Sequence, residues 1–217
     1  MVQKILTSHN SVLFLNGHLP DIKDYNNYID GKVKIASDGA AIKLIHDEIY
    51  LDYVIGDLDS LGSINKSFVN QIIKINDQNT TDFEKCLNFI MKNKLSPTLI
   101  FGIGGGEIDH AINNIFSMCN HSLSDLSFLD INDRGKKFGK IITNSNLEIY
   151  LPMGSKISLI PYPSALVTTD NLKWNIENQL LSNLGFISAR NYNISEKINI
   201  NVHQGKLLVI ADIKEKS

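Results

Sequence analysis

Short apolar runs alternate with helically spaced segments through the first half of the chain. SVLFLN (11–16), KVKIAS (32–37), DYVIG (52–56), TLIFG (98–102) and LSFLDI (126–131) are rich in β-branched and aromatic residues and read as strands. FVNQIIKI (68–75) contains a further strand, although its spacing also suits a helix. Between the runs, residues 21–29 read as a helix stopped by Gly31. Asp38-Gly39 opens another that runs through His46. Thr81 to Met91 places Phe83, Leu87, Ile90 and Met91 on one face. His110 to Cys119 repeats apolar residues at 111, 112, 115, 116 and 119. This alternation predicts an α/β domain over residues 1–133, with a mostly parallel sheet and helices on both faces.

The texture changes after about residue 137. KIITN, LEIYL, KISLIPY, ALVTT, KININ and KLLVIAD are separate β-rich runs broken by Gly, Pro, Asn and Asp. They predict an all-β sandwich over residues 138–217. The polar segment INDRGKKFGK (131–140) is the expected linker.

Composition narrows the partners. The chain has 217 residues, 43 % hydrophobic and 20 % charged, with a formal net charge of −2. A polyanion-binding surface normally makes a chain basic, so nucleic acid is excluded as the main partner. Local phosphate binding stays open, because a metal can supply the positive charge. VLFL (12–15) is too short for a signal segment and nothing approaches a membrane span, so a cytoplasmic location is expected. Cys86 and Cys119 lie far apart in apolar helical stretches and are expected to be buried free thiols.

The acids fall where chemistry is expected. Ligands of open α/β sheets bind beyond the carboxyl ends of the strands. Asp38 follows KIAS, Asp57 and Asp59 follow YVI, and Asp77 follows IIKI. Asp82 starts the next helix, and Asp109 follows IFG and the glycine run GIGGG (102–106). Six acids on one edge of a sheet would cost several kcal/mol in repulsion and desolvation. Mg²⁺ would relieve it, typically through one or two protein carboxylates plus waters and substrate phosphates.

Each acid also has a plain structural explanation. Asp38-Gly39 is a turn dipeptide. Thr81 with Glu84 fits a capping box that leaves Asp82 in the first helical turn. Asp109 suits the N-cap of the helix at 110–119. GDLDS (56–60) resists this treatment, because two acids two residues apart do no capping that one could not do. The glycine run fits neither the dinucleotide pattern, since Glu107 takes the third glycine position, nor the P-loop, which needs Gly-Lys-Ser/Thr. Neither acidic loop is an EF-hand.

Taken together, SDGAA (37–41), GDLDS (56–60), DQNTTDFEKCL (77–87), GGGEIDHAINNI (104–115), NLKWNI (171–176) and SARN (188–191) resemble the thiamine pyrophosphokinase family. The resemblance covers about residues 35–211. It implies an α/β nucleotide domain and a β-sandwich domain. It also implies a homodimer with a thiamine pocket near the interface, and Mg-dependent transfer of pyrophosphate from ATP to thiamine, giving AMP. By resemblance, Asp57, Asp59 and Asp82 hold the metal and, with Asp109, form the catalytic set. Asp38, Gly39, Asp77, Thr81, Gly104 and Gly105 bind ATP or its phosphates. Gln78, Trp174, Ser188 and Asn191 bind thiamine. From composition alone Trp174, the only tryptophan, reads as a core residue.

Three positions depart from the family pattern. Glu107 stands where Arg is usual, which removes a phosphate-binding cation and points to Arg190, Lys43 or Arg134 as a substitute. Asn79 stands where Asp is frequent, and Arg190 where a small polar residue is common. These departures leave two alternatives beside the thiamine enzyme. One is a pyrophosphokinase for another hydroxymethyl heterocycle, such as a pterin. The other is a catalytically weak thiamine- or nucleotide-binding module. A haloacid-dehalogenase phosphatase ranks below both, because Leu61 stands where Thr or Val is needed and Gly56 interrupts the run before Asp57.

Overall fold

The computed structural model describes residues 2–59, 61 and 64–213. In chain order the elements are α1 (Val2–Thr7), β1 (Ser11–Phe14), α2 (Ile22–Ile29), β2 (Val33–Ser37), α3 (Asp38–His46), β3 (Leu51–Gly56), β4 (Val69–Lys74), α4 (Asp82–Lys92), β5 (Thr98–Phe101) and α5 (Ile108–Asn120). They continue with β6 (Leu126–Asn132), β7 (Gly135–Thr143), β8 (Asn146–Tyr150), β9 (Lys156–Asp170), β10 (Gln179–Ser182), β11 (Ser188–Tyr192) and β12 (Lys197–Ile213). Two compact units result: residues 7–132, and residues 133–217 together with 1–6.

In the first unit the strands run in the order β6-β5-β1-β2-β3-β4, and every pairing is parallel. Central β1 and β5 are buried along their whole length, as apolar runs in a helix-covered parallel sheet must be. Phe14 stacks on Phe101 with ring centroids 5.7 Å apart, and Tyr25 of α2 closes on both, at 5.7 and 5.5 Å. The three rings are fully buried and centre the core. The order also fixes where a ligand can sit. After β1 the chain builds β2 to β4 on one side and then returns to place β5 and β6 on the other. A crevice therefore opens beyond the carboxyl ends of adjacent β1 and β5.

The helix α4 forms as its capping box predicts. Thr81 accepts from the Glu84 N–H, and Glu84 accepts from the Thr81 N–H at 2.8 Å. Phe83, Cys86, Leu87 and Ile90 bury its apolar face. Burial pushes the Cys86 thiol pKa up, and Cys119 is a second buried free thiol. The ambiguous segment at 68–75 is strand β4, paired with β3. Helix α5 starts two residues earlier than its apolar spacing suggests. Its N-cap is Glu107, which makes no side-chain cap bond, and Asp109 lies inside the first turn.

The second unit is mostly strand and antiparallel. Two pairs of runs that read as separate are continuous. KISLIPY and ALVTT form the 15-residue β9, and KININ and KLLVIAD form the 17-residue β12. These two strands pair along most of their length, and each changes its other partner midway. β9 pairs with β11 at one end and β10 at the other, and β12 pairs with β8 and then β7. Register shifts at Val202/Gln204 and Gly205/Leu207 mark where β12 bends, which is how one strand serves two partners. Among the described residues no helix is long and apolar enough to cross a membrane.

Removing a ring from the central cluster leaves a cavity that rigid strands cannot close. Phe14→Ala is expected to cost about 3–5 kcal/mol, seen as a lower denaturant midpoint at unchanged m-value.

Candidate active site

At the carboxyl edge of the parallel sheet lies a cavity of about 670 Å³. Asn16 and Gly17 enter it from the end of β1, Asp38 from β2, Asp57 from β3, and Gln78, Thr81 and Asp82 from the segment after β4. Gly105, Gly106, Glu107, Asp109 and His110 enter from the segment after β5. Five strand ends thus converge on one space.

The approach is tightest between Asp38 and the GDLDS turn. Asp38 is only 2 % exposed, and its carboxylate accepts from the N–H groups of Gly39 at 2.7 Å and Leu58 at 2.9 Å. A Cβ on Gly56 would lie 2.4 Å from the Asp38 carboxyl carbon, so only glycine fits at this strand end. Leu58 takes a left-handed conformation (φ +71°), uncommon for a residue with a side chain, and its hydrogen bond to Asp38 helps hold it there. Asp57 in turn accepts from the Asp59 N–H at 3.2 Å and from Gln78 at 3.5 Å. Ser60 of the same motif lies outside the described residues.

The charges oppose one another. Burial first, then the negative charges of Asp82 and Asp57, hold the Asp38 pKa above the usual carboxylate range, against the pull of its two N–H donors. The Asp59 N–H, aided by Gln78 and Lys85, holds Asp57 below that range. Asp82 pairs with Lys85, three residues on along α4, at 2.9 Å. Burial works against the Lys85 charge, but the Asp82 hydrogen bond and the surrounding carboxylates outweigh it and raise its pKa. Among the described residues no group of three or more His, Cys, Asp or Glu side chains is arranged to hold a metal ion.

Other residues singled out from the sequence lie close by in different roles. Asp77 does not line the cavity. Its carboxylate closes a turn by accepting from Asn79 N–H at 2.9 Å and from the Thr80 hydroxyl at 2.8 Å, which also lowers its pKa. Asp59 is exposed, and neither it nor the half-buried Gly104 lines the cavity. Gly105, at φ +83°, packs its α-carbon against His18, where a Cβ would stand 2.4 Å from the His18 Cβ.

In the second unit Trp174 is 57 % exposed, contrary to the core position its composition suggests. Its ring meets Tyr192 edge-on at 5.3 Å, and the Lys173 ammonium lies 4.9 Å from its centroid. Asn191 is buried beneath it. The Asn191 amide donates to the Trp174 carbonyl at 2.7 Å and accepts from the Trp174 N–H at 3.3 Å, clamping the backbone that presents the indole. Ser188 is buried beside the register shift of β11.

Comparison with known proteins decides the lineage. Residues 25–128 match the thiamin pyrophosphokinase catalytic domain, and residues 139–207 match the thiamin pyrophosphokinase vitamin B1 binding domain. Thiamine pyrophosphokinase 3 of Oryza sativa subsp. japonica is 30 % identical over 211 residues, covering 83 % of this chain and 78 % of that protein. The chain belongs to the thiamine pyrophosphokinase family. Thiamine pyrophosphokinase 1 of the same plant is 31 % identical over 165 residues, a match spanning 69 % of this chain and 61 % of the relative. Two solved structures share the fold at 20 % identity. The thiamine pyrophosphokinase of Bacillus subtilis has a TM-score of 0.75 over 94 % of this chain and 99 % of its own, and the yeast enzyme 0.75 over 98 % and 90 %.

Within this family member, sequence reasoning passed over Lys85, Asn16, Gly17 and Asn114, all of which line the cavity. Asn114 donates to the Ile103 carbonyl at 3.1 Å and so anchors the glycine run. The sequence did contain a signal for Lys85. It follows Asp82 by three residues on an amphipathic helix, which puts both side chains on one face.

A raised Asp38 pKa has a definite consequence for stability. The folded state binds this proton more tightly than the unfolded chain, so the benefit is full below the ordinary carboxylate pKa of about 4 and is lost as pH rises through the folded value. Asn shares the neutrality of the protonated form at every pH, although its amide oxygen can accept from only one of the two N–H groups. In metal-free buffer the stability of Asp38→Asn relative to the wild type is therefore expected to grow from about pH 4 to about pH 7. A difference that stays flat in chemical denaturation over that range contradicts the assignment.

Proposed function

We propose that this chain transfers the pyrophosphoryl group of ATP to the hydroxyl of thiamine, giving thiamine diphosphate and AMP. The observation that carries this reading is the acid-lined cavity at the sheet's switch point, in a chain whose two halves match the catalytic and vitamin B1 binding domains of one family. The second match favours thiamine over a pterin or other hydroxymethyl heterocycle.

In the transfer, the hydroxyl oxygen forms a bond to the β-phosphorus while the bond from that phosphorus to the α,β-bridging oxygen breaks. The electron pair leaves with AMP. Such reactions need positioning and charge neutralisation more than covalent help. The hard carboxylate oxygens of Asp57 and Asp82 suit Mg²⁺, which needs only one or two protein carboxylates because waters and phosphates complete its shell, whereas Asp59 lies outside the cavity lining. When bound, the ion would offset charge on the phosphate oxygens. Asp38 fixes the turn that carries Asp57, through Leu58. Gly106, where a Cβ would meet nothing within 4 Å, leaves room for phosphate oxygens beside the backbone.

Asp109 lines the cavity and makes no ion pair among the described residues, whereas Asp82 is committed to Lys85. Asp109 is therefore the better acceptor for the hydroxyl proton. Trp174, held by Asn191, offers an aromatic face to the cationic thiazolium ring. We also assign the chain a homodimeric state. The exposed stripe Ile108, Ile112 and Phe116 on α5, and Leu180, Leu184 and Phe186 in the second unit, are apolar surfaces that a second copy would cover. Sedimentation at micromolar concentration is expected to give twice the chain mass.

Incubation with ATP, Mg²⁺ and thiamine should yield AMP and thiamine diphosphate in equal amounts, whereas ADP, free phosphate or no product rejects the proposal. Asp57→Asn is expected to fold and to lose roughly 10²-fold or more in kcat. Near-full activity of the purified variant would remove Asp57 from the reaction.

A further inference from the structure

We infer that Lys85 grips the phosphate chain of ATP, supplying the cation that Glu107 denies the glycine loop. Five acids line the cavity (Asp38, Asp57, Asp82, Glu107 and Asp109), and Lys85 is the one lysine or arginine among its lining residues. The cations sought from the sequence lie elsewhere. Arg190, Lys43 and Arg134 do not line the cavity, and the Lys43 ammonium donates to the Leu19 carbonyl at 2.6 Å.

The donor count of Lys85 points to a ligand. Its side chain is only 4 % exposed, and an ammonium carries three N–H donors. One donates to Asp82 at 2.9 Å, and the other two have no partner among the described residues. A buried donor left unsatisfied costs free energy unless something arrives to accept from it, and the penalty is larger for a charged group. In a cavity of this size the fitting acceptor is an anionic oxygen. A phosphate chain offers several in a row, so Lys85 can keep Asp82 and still reach one. The Asp82 hydrogen bond then aims the ammonium as well as neutralising it. This also explains how a polyanion enters a pocket lined by carboxylates: part of the positive charge is built in.

The inference rests on the proposed nucleotide substrate and is tested by binding, apart from turnover. Calorimetry with Mg²⁺ present compares ATP and AMP on the full chain, for the wild type, Lys85→Met and Lys85→Arg. Lys85→Met is expected to weaken ATP by about 10- to 100-fold, to leave AMP unchanged, and to raise the KM for ATP but not for thiamine. Lys85→Arg, which keeps the charge, should recover part of the ATP affinity. Lys85→Gln, which can still donate to Asp82, replaces Lys85→Met if circular dichroism finds the latter unfolded, with the same expectation. ATP binding equal to the wild type overturns the inference. So does an equal loss of ATP and AMP, which would reduce Lys85 to a support for Asp82. Selective loss of ATP in a wild-type background that forms no thiamine diphosphate sinks the proposed function and leaves Lys85 as a phosphate ligand.

Discussion

Repulsion between carboxylates drawn together at the carboxyl edge of one parallel sheet is the constraint around which this molecule is arranged. A parallel sheet ends all its strands on one side, so residues following different strands meet whether or not their charges agree. Here they do not agree. The molecule answers locally, with backbone N–H donors to Asp38 and Asp57, a buried ammonium on Asp82, and a glycine at the end of β3. What these leave uncompensated is net negative charge at the cavity, which the proposed metal ion would meet.

The support for this edge lies beneath it. The aromatic cluster of Phe14, Tyr25 and Phe101 fixes β1 against β5, and the switch point between those strands is where the crevice begins. The capping box at Thr81 then orients α4, and with it the Asp82–Lys85 pair. Each of these elements is stabilised without the ligand, so the cavity is a property of the folded chain.

Much of this was legible in the chain itself. The strand runs are short and bounded by turn formers, the capping box is a local pattern, and GDLDS has no adequate structural explanation. What was hidden depends on distance in space. Lys85 looks like any solvated helix charge until packing buries it. The bend in β12 merges KININ with KLLVIAD because a register shift, which periodicity cannot register, carries the strand past Gly205. Asp109 has the chemistry of an N-cap but sits two residues too late, since α5 begins at Ile108 with Glu107 as its N-cap. Trp174 is large and apolar, which favours a core, yet the clamp from Asn191 holds it at the surface.

That outward indole has an optical consequence. Because the chain has a single tryptophan, its tryptophan emission comes from one place, far from the Phe14 cluster in sequence and more than half exposed. Denaturation will shift the wavelength of that emission less than it would for a buried indole, since more than half of the residue faces water before the core opens. A cationic aromatic compound laid against the ring would quench it directly. The same side chain that reports unfolding weakly makes the native protein its own optical reporter of whatever settles on that face.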